Sequence, residues 1–182
     1  MNDSVQIVAL DGHDGAGKTT LATELSRTLG VVAVAPFSGK VGRWLMQAAD
    51  SGNVDLTLEI GEQALDTAVK TNKAPVLILD RSWLTVASLV PWSRFQQVWT
   101  NWLPTVLCWS SLETTLARLA LRNEKPESIE WHKKYLQVYR TMAENENVPI
   151  LRTDQLSVEE CVQLLADGAE NGMTNSLGWQ KT

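Results

Sequence analysis

Eight consecutive residues near the start of the chain, Gly12-His13-Asp14-Gly15-Ala16-Gly17-Lys18-Thr19, satisfy the pattern GxxxxGK[ST]. Glycines let such a loop curl until its N–H groups converge, and a helix that begins at the lysine turns its positive end to the same point. Phosphate oxygens are what that arrangement holds. Lys18 is placed to reach β- and γ-phosphates and the Thr19 hydroxyl to ligate magnesium. Gly12, Asp14, Gly15, Ala16, Gly17, Lys18, Thr19 and Thr20 are therefore the expected cradle for ATP with Mg2+. A second element, Val76-Leu77-Ile78-Leu79-Asp80, is an apolar run that ends in a carboxylate. Asp80 is expected to share the magnesium with Thr19, directly or through water. Arg81 follows at once, and its planar fork suits a bridge between donor and acceptor phosphates; a structural ion pair is the alternative.

These groups must be positioned by regular elements. Apolar runs of strand length occur at 5–10, 31–35, 76–79, 105–109 and 149–151. Helical periodicity fills the intervals 18–29, 41–49, 56–70, 93–102, 112–121, 129–146 and 158–166. Continuous apolar strands alternating with helices predict an α/β protein of three layers, the P-loop NTPase fold, with a parallel five-stranded sheet flanked by helices. Ligands then sit at the carboxyl ends of the strands, where the motif lies. One domain over residues 1–170 is expected, with a loose tail at 171–182.

Bulk properties narrow the partners. The 182 residues are 44% hydrophobic and 20% charged, with a formal net charge of −5. That balance argues against gripping a long nucleic acid, whose affinity is mostly cationic neutralisation of phosphates, but allows a small anionic nucleotide. No apolar run approaches the ~20 residues of a membrane span, and the first residues lack a secretory pattern, so a cytoplasmic protein is expected. Cys108 and Cys161, each inside an apolar pattern, read as buried reduced thiols, and His13 and His132 have no spacing that would make a zinc site.

Asn72-Lys73-Ala74-Pro75 starts like a guanine-reading NKxD motif but lacks the Asp and precedes the Asp80 strand. A signalling GTPase is not indicated, and the size suits a small-molecule kinase. The segment from Leu10 to Thr20 resembles the P-loop of the thymidylate kinase family, and Leu79-Asp80-Arg81-Ser82 resembles its DR segment or the ERS of the deoxynucleoside kinases. Residues 116–122 followed by 129–143 are similar to the lid and lid-following helix of both groups. The resemblance implies that Asp14 meets the acceptor sugar, Arg81 the acceptor phosphate, and Arg118 and Arg122 the migrating phosphoryl, within a lid near 118–128 with Lys125 at its tip. Four apart on a helix, Arg118 and Arg122 would share one face; pairing with Glu113 or Glu124 is the alternative.

The chain also departs from that pattern. No carboxylate stands beside Pro36, where deoxynucleoside kinases place a base, which tilts the expectation toward an acceptor that is already a phosphate. No arginine occurs in 58–63, so thymine specificity is not indicated. Phe37 and Trp44 are candidates for stacking on the acceptor base and Arg43 for an acceptor-side cation, against core and surface roles. Trp92, Phe95, Trp99 and Trp102 recur at helical spacing and read as core or as a homodimer face. The leading reading is a nucleoside monophosphate kinase. A nucleoside or other small-molecule kinase, and a nucleotide-binding regulatory protein without catalysis, stay open.

Overall fold

The structure is a computed structural model that describes residues 5–122 and 127–171. Strand β1 (Gln6–Asp11) leads into α1 (Lys18–Leu29), and a short β2 (Ala33–Val34) into α2 (Gly39–Asp50) and α3 (Val54–Thr71). Next come β3 (Val76–Asp80), α4 (Trp83–Ala87), α5 (Trp92–Val98) and β4 (Thr105–Trp109). The chain closes with α6 (Leu112–Ala120), α7 (Ile129–Asn145), β5 (Ile150–Arg152) and α8 (Val158–Asn171). The five strands form one sheet in the order β2-β3-β1-β4-β5, and each neighbouring pair is parallel.

Continuous apolar strands are explained by the two cores. Ala9, Leu77, Leu79 and Leu107 face a cluster built with α3, α4, α5 and α7. Val8, Leu10, Ile78, Val106 and Cys108 point the other way, into α1 and α8. Alternate residues of one strand thus enter different cores, and both must be apolar. Cys108 and Cys161 are buried free thiols, as expected. No helix among the described residues is long and apolar enough to cross a membrane.

Three expectations need correction. Helix α4, inside a segment assigned to no element, is buried at all five positions. A helix covered all round has no polar face, so it leaves no amphipathic period to detect. Helix α8 runs to Asn171, five residues beyond its expected end at 166 and into the segment read as a tail; residues 172–182 lie outside the described residues. Helix α5 stops at Val98, so the four aromatic residues do not line one helix. Trp99 turns extended (ψ 129°), its indole donates to the Asn101 carbonyl, and the Trp102 indole donates to the Trp99 carbonyl. The chain folds back so that Trp92, Trp99, Trp102 and Trp83 surround a fully buried Phe95, with ring centroids 4.7 to 6.0 Å from it. The core reading holds for Phe95 and Trp99, whereas Trp102 keeps 41% of its surface exposed.

Helix α3 approaches α4 closely at Gly61, where an added Cβ would fall 2.6 Å from a Val86 methyl. Gly61→Ala should therefore lower stability by roughly 1–3 kcal/mol, the range for overpacking, as read by urea unfolding at unchanged slope. A stability equal to the parent's would show that α4 has room to shift.

Candidate active site

The glycine-rich loop joins β1 to α1 at the carboxyl edge of the sheet. Gly12, Gly15 and Gly17 have φ of 137°, 80° and 86°. At Gly12 a side chain is excluded twice over, because a Cβ would also sit 2.2 Å from the Cys108 carbonyl oxygen of the neighbouring strand. The first helical turn leaves the N–H groups of Lys18, Thr19 and Thr20 without intrahelical acceptors, and Leu21 donates to Gly17 at 3.0 Å. Unsatisfied N–H groups at a helix start favour an anion.

Lys18 is only 5% exposed and its Nζ donates to the His13 carbonyl at 2.8 Å. Burial, and then repulsion from Arg81, pulls its pKa down to about 8. Beside it, the Thr19 hydroxyl donates to Asp80 Oδ2 at 2.6 Å, while Asp80 Oδ1 is buried without a hydrogen-bond partner. One carboxylate with a lone oxygen and one hydroxyl fit a hard cation that takes its other ligands from phosphates and water. No cluster of three His, Cys, Asp or Glu suited to a metal exists among the described residues.

On the other side of the loop, Arg81 Nη2 meets Asp14 Oδ1 at 2.6 Å, and Nη1 donates to Thr85 Oγ1 at 3.4 Å. Arg81 adopts φ 84°, unusual for a residue with a side chain. This conformation is held from both directions: the Arg81 N–H donates to the Leu10 carbonyl, and the Ser82 N–H donates to Asp11. Burial pushes the Asp14 carboxyl up, but Arg81 and Lys18 outweigh it and leave its pKa below the usual value.

Asp11 and the loop's outer contacts were not singled out from sequence. The Asp11 carboxylate is fully buried and accepts from the N–H groups of Gly12, Ser82 and Thr85 and from the Thr85 hydroxyl, at 2.7 to 2.9 Å. Its position at the end of the first apolar run was the available signal. Thr153, after β5, donates its hydroxyl to the Ala16 carbonyl at 3.0 Å.

The arginine pair is a correction. Helix α6 ends at Ala120 with Leu121 as its cap, so Arg122 lies past the helix and shares no face with Arg118. Arg122 is exposed. Arg118 instead braces the loop, donating to the carbonyls of Gly15 and Thr153 and to the Thr153 hydroxyl at 2.6 to 3.1 Å. It also borders a cleft of about 120 Å³ with Gly17, Thr20, Leu21, Thr153, Leu156, Val158 and Cys161. Thr20 is exposed at the cleft's edge. Phe37 is half-buried against the α3–α4 core, while Arg43 and Trp44 are exposed on α2. Lys125 and part of the expected lid lie outside the described residues.

No protein-family model matches the chain, and no curated protein matches it in sequence. Solved structures do match. A deoxyadenosine kinase from M. mycoides, with the products dCMP and dCDP bound, superposes with TM-score 0.66 at 18% identity over 91% of this chain and 99% of that one. The fold is that of the P-loop kinases. The YorR protein of Bacillus subtilis, in complex with phosphorylated GDP, gives TM-score 0.60 at 20% identity over 91% of this chain and 98% of its own. A shikimate kinase from Bacteroides thetaiotaomicron gives 0.59 at 18% identity, over 92% and 99%.

Proposed function

We propose that the chain transfers the terminal phosphoryl group of ATP to a nucleoside monophosphate. One observation carries the choice of acceptor: Arg81 is held beside Asp14, whose pKa is lowered, and the loop at Ala35-Pro36-Phe37 offers no carboxylate. A carboxylate with a depressed pKa is a weak base, ill suited to deprotonating a sugar hydroxyl. A monophosphate needs no base, since its oxygen is already anionic and attacks as the bond to the leaving diphosphate breaks. Kinases of this fold are named for acceptors as unlike as deoxyadenosine and shikimate, so the fold leaves the choice to the site.

In this reading Gly12, Asp14, Gly15, Ala16, Gly17, Lys18, Thr19 and Thr20 cradle the triphosphate, and Thr19 with Asp80 hold Mg2+. Bound magnesium would supply positive charge to the β- and γ-phosphate oxygens. Lys18 leaves the His13 carbonyl for the phosphates, and Arg81 exchanges Asp14 for the acceptor phosphate, aligning donor and acceptor. The cleft beside Arg118 would take the donor's base, and Arg122, exposed past the end of α6, would be one of the described cations near the migrating group. Phe37, Trp44 and Arg43 border the acceptor side.

A coupled assay with ATP, Mg2+ and a panel of nucleosides and their monophosphates tests the proposal. Turnover of one or more monophosphates is expected. Turnover of nucleosides alone would replace the acceptor, and tight ATP binding without turnover on any acceptor would replace catalysis with nucleotide sensing.

A depressed lysine also sets the pH dependence of donor binding. The neutral amine cannot balance phosphate charge, so above about pH 8 the protein must take up a proton to bind ATP. The dissociation constant should be level up to that pH and weaken by up to roughly tenfold per unit beyond it. Calorimetry in buffers of different ionisation enthalpy would detect the proton. A constant affinity to about pH 9.5 would remove Lys18 from the phosphate site.

A further inference from the structure

One cluster of ionisable and aromatic side chains is left unused by the proposed chemistry. His13, between the first glycine and Asp14 of the loop, is 3% exposed, and its Nε2 lies 2.8 Å from Nδ1 of His132 on α7, itself 4% exposed. The rings of Trp131, His132 and Tyr135 surround His13 at centroid distances of 5.2, 5.1 and 6.1 Å. The two facing ring nitrogens make one hydrogen bond, with one ring donating and the other accepting. His13 stays neutral because burial pulls its pKa down to about 4, with Lys18 and Arg81 as nearby cations and Asp14 as the opposing charge.

The contact matters because of what surrounds it in the chain. The carbonyl of His13 receives both Lys18 Nζ and the Ala16 N–H, and the next side chain, Asp14, holds Arg81. Every other residue from Gly12 to Ala16 is also tied by a side chain: Gly12 by Asp11, Asp14 by Arg81, Gly15 by Arg118 and Ala16 by Thr153. His13 alone is tied through its own ring, to a helix that supplies no other bond to the loop among those described.

We propose that His132 is a positioning residue, which through its hydrogen bond to His13 holds the His13–Asp14 stretch of the glycine-rich loop in place where the loop would cradle the triphosphate. This rests on the phosphoryl-transfer reading of the same site. Freed of that bond, the loop would wander by a fraction of an ångström at the point where the donor is aligned, and misplacement of about 1 Å can reduce rate by 10²-fold.

The test compares His132→Phe, which keeps an aromatic ring but removes the partner nitrogen, with His132→Asn, whose amide places a polar atom near Nδ1. His132→Phe is expected to lower kcat roughly 10- to 100-fold with little change in acceptor KM, and His132→Asn to recover most of it. Hydrogen exchange of the loop amides 12–17, measured without nucleotide, should quicken several-fold in His132→Phe and return toward the parent in His132→Asn. That readout needs no turnover: if the parent phosphorylates nothing, the functional reading falls while exchange and ATP affinity still judge the contact. Parental exchange and kcat in His132→Phe would overturn the proposal, as would equal losses in both variants that only follow a lowered Tm. Should His132→Phe fail to fold, His132→Leu takes its place in the same comparison.

Discussion

Lys18→Ala is expected to abolish phosphoryl transfer, lowering kcat by at least about 10³-fold, while leaving Tm unchanged or slightly raised. Loss of a cation that meets the phosphates in the transition state has effects of this size in phosphoryl transfer. The stability side follows from the lysine's surroundings. Its ammonium is buried on a single carbonyl, and burial with repulsion from Arg81 outweighs the attraction of Asp14 and Asp11. The folded state therefore disfavours its charge, and truncation relieves that penalty while giving up one hydrogen bond and some packing. Steady-state kinetics and a melting curve on the same sample check both halves. Near-parental kcat would displace the proposed site, and a steep fall in Tm would make Lys18 part of the framework.

Asp11→Ala should have the opposite profile, with a large loss of stability and activity lost along with it. Four donors converge on this carboxylate: the first amide of the glycine-rich loop, the Ser82 amide and both donors of Thr85. Burial raises its pKa, against the opposing pull of Thr85 and Arg81, so the charge itself is held at a cost. What alanine removes is chiefly the acceptor, and buried donors without partners cost about 1–3 kcal/mol each before relaxation. A net loss of roughly 3–5 kcal/mol is expected, close to that of breaking a buried polar network, and a fall in Tm of about 10 °C. Asp11→Asn should recover only part, because its amide nitrogen faces donors. Denaturant unfolding of the two variants checks the order, and an alanine variant as stable as the parent would mean that water replaces the carboxylate.

Much of this organisation is legible in the order of residues, for identifiable reasons. Strands covered on both faces must be continuously apolar, so their runs stand out, and the glycine-rich loop is local, with its glycines, Lys18 and Thr19 within eight residues. Asp80 and Arg81 were legible because a strand that ends in charge marks the edge of the sheet. What escaped is what depends on distance in the chain. His13 and His132 are 119 positions apart, and nothing in either neighbourhood announces the other. Asp11 read only as the residue that follows the first apolar run until the backbone of α4 was brought against it. The aromatic spacing from Trp92 to Trp102 imitates a helix that the chain leaves at Val98, since a fold-back can bring the same rings onto one centre. Arg118 and Arg122 failed likewise: their spacing implies a shared face only while the helix lasts.

The left-handed backbone at Arg81 sets selection for robustness against selection for turnover. A side chain in that region costs of order 1 kcal/mol, which glycine would release. Any search for hardier variants that ignores activity will drift toward Gly or Asn at this position and lose the guanidinium that faces Asp14. Arginine persisting there under such a search would mean that the ion pair outweighs the strain; its replacement would mark the bend at the end of β3 as a place where durability is given up for chemistry.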